Sequence, residues 1–478
     1  MTEELRGIAV VDVGATNSKI ALFESSGKLL AERKTSSRHV AGPPYPHLDP
    51  KPLVAFCARH LPDLDAIMPI DAVVPSAHGA AIACLDGQGR LALPVMDYMA
   101  EPPLDVVEAY RKSEPPFSEV FCPLLPMALT HGMQLFWQQT AFPGEFARVR
   151  TILPWIQYVG CLLSGKPVIE IASMSCQSQL MDVRDNTFSS LARLQGWDRL
   201  FAPWAKAWQV IGTLKPQFRK DQFRGRGRVL AGIHDSSGNY LRYLAGGRRH
   251  FSLLSTGTWI IGFDTDTGVT ELDPARDTVT NTDIFGKPVA CCRFMGGREY
   301  EVLSRGAPAE AASFEALGGL LAQGTFALPS FTDSGGPMPG TGNKGHVRGP
   351  APAGEEERST LAALYCALMV DRSLAAVKSK GDVIVDGPFA QNPVFLSVLA
   401  ALRRPQTVLA SQLRDGTTAG AMALALMTET GEIPRLALDL DEVTAYAPGA
   451  LAGYAAKWRQ MTEEMNEEAP PPRRQGLG

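Results

Sequence analysis

Asp12-Val-Gly-Ala-Thr-Asn-Ser-Lys19 is an acidic, glycine-containing turn that follows directly on the β-branched run Gly7–Val13. Residues 18–23, Ser-Lys-Ile-Ala-Leu-Phe, form a second apolar run, and Leu29 to Lys34 a third, after the turn at Gly27-Lys28. Short β-branched runs separated by tight polar turns predict an antiparallel meander. In the first turn, backbone N–H groups can point into one concavity and hold phosphate oxygens, and Gly14 allows close approach. Ala15, Thr16, Asn17 and Lys19 complete that turn, and a carboxylate at Asp12 can hold Mg2+ through water. Ordinary hairpins also favour Asp, Gly and Asn, so the motif needs support from elsewhere in the chain.

That support comes from the second half. Ser255-Thr-Gly-Thr258, followed by Trp259, is another strand-turn-strand segment of small and hydroxyl-bearing residues. Two such turns suggest a duplicated architecture with one phosphate-facing turn per lobe, as in actin-like ATPases. Gly232-Ile-His234-Asp235 ends an apolar strand, and a carboxylate there can take the proton from a hydroxyl attacking a γ-phosphate. His234 is read as shaping the turn, while Asp-Ser-Ser before a helical run is also an ordinary N-cap. Asp386-Gly387-Pro-Phe-Ala-Gln391-Asn392 joins a strand to a helix and offers a rim for an adenine or ribose.

Around these motifs the elements alternate. A helix is expected near 51–61, a strand at Asp71 to Val74, and a hairpin at Ala80 to Leu91. Residues 127–163 show two helical stripes, one through Leu129, Met133, Phe136 and Trp137, the other through Leu153, Ile156, Val159 and Leu163. Strands at Val229 to Ile233, Phe251 to Ser255, Trp259 to Phe263 and Asp382 to Val385 follow, with helices at Thr360 to Val377, Val394 to Leu402 and Thr418 to Met427. The mixture predicts α/β layers with mixed sheets. Ala245-Gly-Gly-Arg-Arg249 marks the expected boundary between an N-terminal lobe, 1–246, and a C-terminal lobe, 247–460. Residues 333–358 read as a surface loop and 461–478 as a disordered tail.

The chain has 478 residues, 45% apolar and 20% charged, enough for two large lobes. A net charge of -4 provides no basic field for a phosphate backbone, so nucleic acid is not expected as a partner. No run approaches the roughly 20 apolar residues of a membrane span. Eight cysteines without a Cys-x-x-Cys pair fit reduced thiols in a cytoplasm. Gly340-Thr-Gly-Asn-Lys-Gly345 matches a dinucleotide fingerprint as a string but follows no strand, and the histidines lack zinc spacing.

The order of the four segments resembles the FGGY family of carbohydrate kinases, from about residue 7 to about 455. The resemblance implies two actin-like (ribonuclease H-like) lobes with mixed sheets and a central ATP and sugar cleft. It implies ATP and Mg2+ as cofactors, with Asp12 near the metal and Gly14, Ala15 and Thr16 near phosphates. Asp235 falls on the catalytic base and Ser255, Thr256, Gly257 and Thr258 on the second phosphate motif. Gly387 to Asn392 and Thr418-Ala-Gly-Ala421 fall on the adenosine region. Ser76-Ala-His78-Gly79 resembles the sugar-contacting segment, with Asp97 and His234 also at the substrate. Pro154 to Gly165, Glu170 to Ser173 and Arg293 to Glu299 follow the order of rhamnulokinase-type members. Two departures stand out: Gly-Pro-Phe-Ala replaces a run of glycines, and Asp97 lacks its flanking Trp and Arg.

The expected reaction is phosphorylation of a small sugar, a deoxyhexulose such as rhamnulose or fuculose, in a cytoplasmic enzyme for which a homodimer is one option. The alternatives are a kinase of a pentulose or sugar alcohol, an actin- or chaperone-like ATPase, and a sugar-binding regulator without turnover.

Overall fold

Gly7–Val13 (β1) is buried at every position, the pattern of a strand covered on both faces. Asn17–Glu24 (β2) pairs with it antiparallel, placing Lys19 opposite Asp12, and Leu29–Ser36 (β3) continues the meander. On the other side of β1, Ile70–Ala77 (β4) runs parallel. Beyond β4, Val210–Thr213 (β5) and Arg228–Leu230 (β6) form an antiparallel pair, and β6 is parallel to β4. Ile233–His234 (β7) pairs in parallel with the last two residues of β4.

The computed structural model describes residues 5–219, 222–413 and 415–467. A second sheet repeats the first one's logic. Phe251–Thr256 (β8) pairs antiparallel with Ile260–Asp264 (β9), which pairs antiparallel with Pro288–Phe294 (β10). On its other side β8 is parallel to Asp382–Asp386 (β11), itself parallel to Val408–Ser411 (β12), with Leu440–Glu442 (β13) antiparallel at the edge. In both sheets, then, a central strand has its hairpin partner on one side and later parallel strands on the other. The duplication expected from the two turns is present in the topology.

One compact unit comprises the chain up to Arg248 together with Thr280–Pro288 and Asp415–Ala437; the rest of the chain forms the other. This differs from the 1–246 and 247–460 division at one functionally relevant place. The helix Gly416–Leu426 packs in the first unit, where Ala421 and Leu424 join Ile8, Val10, Val74 and Ile233 in one core. Its close fit explains why: a Cβ at Gly420 would fall 1.8 Å from the Gly238 carbonyl oxygen, so only glycine lets these helices touch.

Three local readings also change. The stripe through Leu153 is interrupted by a strand, Thr151–Pro154, between the helices His131–Ala141 and Trp155–Ser164. Thr151–Pro154 pairs with Ile82–Leu85, while the hairpin expected within 80–91 closes around Asp86, whose N–H donates to the Arg90 carbonyl at 2.8 Å as Leu85 bridges Leu91 antiparallel. In the second unit, the 333–358 loop contains His346–Arg348, paired with Phe326–Leu328, and the start of the helix Gly354–Ala376. The helix Pro448–Glu467 runs through 461–467 of the expected disordered tail, and 468–478 lie outside the described residues. No described helix is long and apolar enough to cross a membrane.

Candidate active site

In the first unit, strand register gathers the chemistry. Asp12 lies opposite Ser76, and Ser76 lies opposite Ile233, so β1, β4 and β7 end side by side. Asp12, His78 and Asp235 therefore arrive together at the carboxyl ends of parallel strands, where open α/β sheets hold ligands.

Asp12 is nearly buried and accepts a hydrogen bond from Ser76 Oγ at 2.9 Å. Burial pushes its carboxyl up to about 6, Lys19 pulls the other way, and Asp235 and Asp415 add to the rise. Lys19, expected at phosphate, points its Nζ at carboxylates: 2.6 Å from Asp415 Oδ2 and 3.4 Å from Asp12 Oδ2. Asp415 caps the helix Gly416–Leu426, accepting also from the Thr418 hydroxyl at 2.6 Å. Thr418 to Ala421, expected in the adenosine region, thus belong to this charged cluster's helix in the first unit.

Between Asp12 and Lys19 the turn is tight, with Gly14 N–H donating to the Asn17 carbonyl at 2.9 Å. Thr16 and Asn17 are exposed. Gly14, Ala15 and Ser18 line a small cavity with His78 and Trp155. His78 Nδ1 and Trp155 Nε1 are both buried without a hydrogen bond, the kind of polar atom that a ligand satisfies. Burial drops His78 to about 4, so its imidazole is neutral at pH 7. Its ring sits between Tyr98, 5.7 Å away, and Trp155, 6.5 Å away.

Asp235 opens the helix Asp235–Ala245, and His234 is its N-cap residue. His234 Nε2 lies 3.0 Å from Asp235 Oδ1. The Ser236 backbone N–H and hydroxyl also donate to Oδ1, at 2.5 and 3.1 Å. Oδ2 makes no bond among the described residues, and the side chain is 29% exposed. Burial opposes the charge on both partners, yet His234 is held well above its ordinary value by Cys176 and Asp235, and Asp235 is held down by His234. Gly79 makes room for this pair: a Cβ there would fall 2.7 Å from Cys176 Sγ and 2.8 Å from His234 Cδ2.

Asp97 is buried, with Oδ2 2.5 Å from His39 Nδ1 and Oδ1 accepting from Met99 N–H. Glu170, fully buried, caps the short helix Ile171–Ser175 through the Ala172 and Ser173 N–H groups; burial raises it to about 7. It is a structural cap at the start of the segment that delivers Cys176.

In the second unit, Ser255 pairs with Asp386 across β8 and β11, so the turns after the two strands adjoin. Thr256 ties them together: its hydroxyl donates to the Asp386 carbonyl at 2.6 Å and accepts from Phe389 N–H at 3.1 Å. This side chain, expected at phosphate, is engaged in structure. Gly387 has φ +89°, and a Cβ would meet the Thr256 carbonyl oxygen at 2.2 Å, so glycine is required. A cavity of about 270 Å3 opens beside the turns, lined by Gly257, Thr258, Gly297, Tyr300, Phe389 and Asn392 among others. Asn392 Oδ1 caps the helix Pro393–Leu402 through Phe395 N–H, while its Nδ2 is buried without a bond. Gln391, expected beside Asn392, is exposed and does not line the cavity.

Among the described residues no group of three or more His, Cys, Asp or Glu side chains is gathered to coordinate a metal directly. The donor chemistry at Asp12 nevertheless suits Mg2+: a hard oxygen whose ionisation is opposed by two further carboxylates, a charge excess that a divalent cation relieves.

Sequence reasoning missed Asp415, Cys176, Trp155 and His39. Asp415-Gly-Thr-Thr418 before an Ala-rich run was a readable N-cap signal; the others had no local signature.

Residues 248–433 match the model of the FGGY carbohydrate kinase C-terminal domain. A carbohydrate kinase from Novosphingobium aromaticivorans has a structure similar to this one, with TM-score 0.83 and 32% identity over 95% of this chain and 100% of that one. The chain belongs to the FGGY carbohydrate kinases. The family's two-lobed actin-like α/β fold accounts for the duplicated sheets. A xylulose kinase from Lactobacillus acidophilus shares the fold at TM-score 0.79 and 14% identity, over 97% of this chain and 99% of that one. An L-fuculokinase from Salmonella typhi is 24% identical over 269 residues, 53% of this chain and 55% of that protein. The chain thus spans about half the length of the curated relative it matches. Rhamnulokinase-type membership has no counterpart among these relatives.

Proposed function

We propose that this FGGY kinase transfers the γ-phosphate of ATP to a hydroxyl of a small ketose, with Asp235 as general base. The observation that carries the reading is the state of the Asp235 carboxylate. One oxygen is fixed by His234 and Ser236, and the other is open. The open oxygen accepts the proton of the sugar hydroxyl. The hydroxyl oxygen bonds to the γ-phosphorus as the bond from that phosphorus to the β,γ-bridging oxygen breaks, and ADP leaves. Because the transition state is loose, the base has mainly to orient the nucleophile and take its proton late. The lowered basicity of Asp235 keeps it ionised for that role across neutral pH.

Ala15 and Thr16 would hold phosphate oxygens through backbone N–H groups, Gly14, whose own N–H closes the turn onto Asn17, leaves room for close approach, and Asp12 would hold Mg2+. When bound, the ion would supply charge neutralisation at the transferring phosphoryl group. Gly257, Thr258 and Asn392 hold the adenosine end, with Phe389 and Tyr300 as apolar walls. Thr256 and Gly387 shape that pocket. His78, Asp97 and Gly79 belong to the sugar subsite, where the aromatic walls Tyr98 and Trp155 suit a C–H-rich sugar face.

For the sugar, the reading is a deoxyhexulose, rhamnulose- or fuculose-like, supported by the fuculokinase relative. A pentulose is the second reading, supported by the xylulose kinase likeness. A coupled ADP-release screen over ketoses, aldoses and polyols tests both. A deoxyhexulose giving the highest kcat/KM supports the first; pentulose preference supports the second; ADP release without any sugar refutes both.

A further inference from the structure

His39 is not part of any segment identified from sequence, yet it touches both halves of the first unit's site. Its Nδ1 lies 2.5 Å from Asp97 Oδ2 and its Nε2 lies 2.6 Å from the Ala15 carbonyl oxygen. Both partners are acceptors only, once Asp97 is ionised. A neutral imidazole has one N–H and can serve one of them; two such bonds need the imidazolium. Asp97 is fixed from behind by Met99 N–H, and its own N–H donates to the Pro46 carbonyl, so its loop has few other ways to register against the turn.

We infer that His39 is a positioning residue that locks the sugar-subsite carboxylate Asp97 to the phosphate turn at Ala15, making one unit of the two subsites. The inference rests on the assignment of Asp97 to the sugar and Ala15 to phosphate. Asp97 and His78 are the titratable side chains facing the ring, and Arg38 beside it turns toward Asp49. His78 is neutral at pH 7, leaving Asp97 as the charge that faces the ring. Burial alone would lower His39, and the bonds to Ala15 and Asp97 outweigh it, raising it above 6.5. Deprotonation at higher pH removes one bond and frees the Asp97 loop from the turn.

The test has a binding-independent arm and a kinetic arm. In the 15N-histidine NMR titration of the whole chain, with His39 assigned by its absence in His39→Gln, the imidazolium is expected to persist to higher pH than an ordinary histidine's. In Asp97→Asn it is expected to titrate lower. A His39 that titrates at or below 6.5 in the wild type, or is unmoved in Asp97→Asn, overturns the inference while leaving the kinase reading intact. In the kinetic arm, sugar KM is expected to rise as pH climbs through the His39 titration. In His39→Gln it is expected to be about tenfold higher and flat with pH, with kcat within about twofold. Equal KM profiles in the two proteins overturn it as well. Absence of sugar turnover refutes the kinase reading and leaves the NMR arm to decide whether the lock exists.

Discussion

Replacing Asp12 by Asn is expected to make the protein's stability relative to wild type rise with pH while removing its function. A carboxyl raised from 3.8 to about 6 by burial is one whose ionisation opposes folding. Its contribution to stability is complete below 3.8 and is lost as pH rises through about 6. The energy involved is about 3 kcal/mol, from 1.36 kcal/mol per pKa unit. Asn cannot ionise. The stability of Asp12→Asn relative to wild type should therefore increase by about 2 kcal/mol between pH 4 and pH 8, whatever constant difference the new amide introduces beside Ser76 and Lys19. Urea unfolding followed by tryptophan fluorescence, in EDTA and without nucleotide, measures that double difference. A relative stability that is flat with pH, or that falls between pH 4 and pH 8, would refute the electrostatic account of the cluster.

Further expectations follow from the same geometry. In the wild type, kcat/KM for ATP should fall as pH drops through about 6, where Asp12 takes up a proton and loses its hold on the cation; an acid limb only near 4 would contradict this. Gly387→Ala places a Cβ 2.2 Å from the Thr256 carbonyl oxygen at φ +89°. It should cost about 2–4 kcal/mol and lower the melting temperature by ~5 °C or more, with weaker ADP binding. Asn392→Asp keeps the oxygen that caps Phe395 N–H but removes the unpartnered Nδ2 donor. ADP affinity by calorimetry should fall about tenfold, with the melting temperature within about 2 °C.

What could be read from the sequence was what is local. The turn at Asp12 and the segment ending in Asp235 each announce themselves within a few residues, and the repeated strand-turn-strand at Ser255 predicted the duplicated topology. The Lys19–Asp415 ion pair joins residues 396 apart, beyond the reach of any spacing argument. The Ala-rich helix after Asp415 was recognisable as a helix, but small apolar residues do not say which sheet they cover; only the Gly238–Gly420 contact does. Thr151–Pro154 was absorbed into a helical stripe because a short buried strand has the same apolar run as a buried helix. Thr256 looked like a phosphate ligand by type, and its hydroxyl is taken up by the Asp386 carbonyl.

On the proposed mechanism Asp235 activates the sugar hydroxyl. The most direct measurement compares sugar-dependent ADP release and ATP binding in wild type and Asp235→Asn. A loss of turnover of at least about a hundredfold is expected, with ATP affinity nearly unchanged, since Asn can still receive the Oδ1 bonds from His234 and Ser236. Turnover within a few-fold of wild type would contradict it.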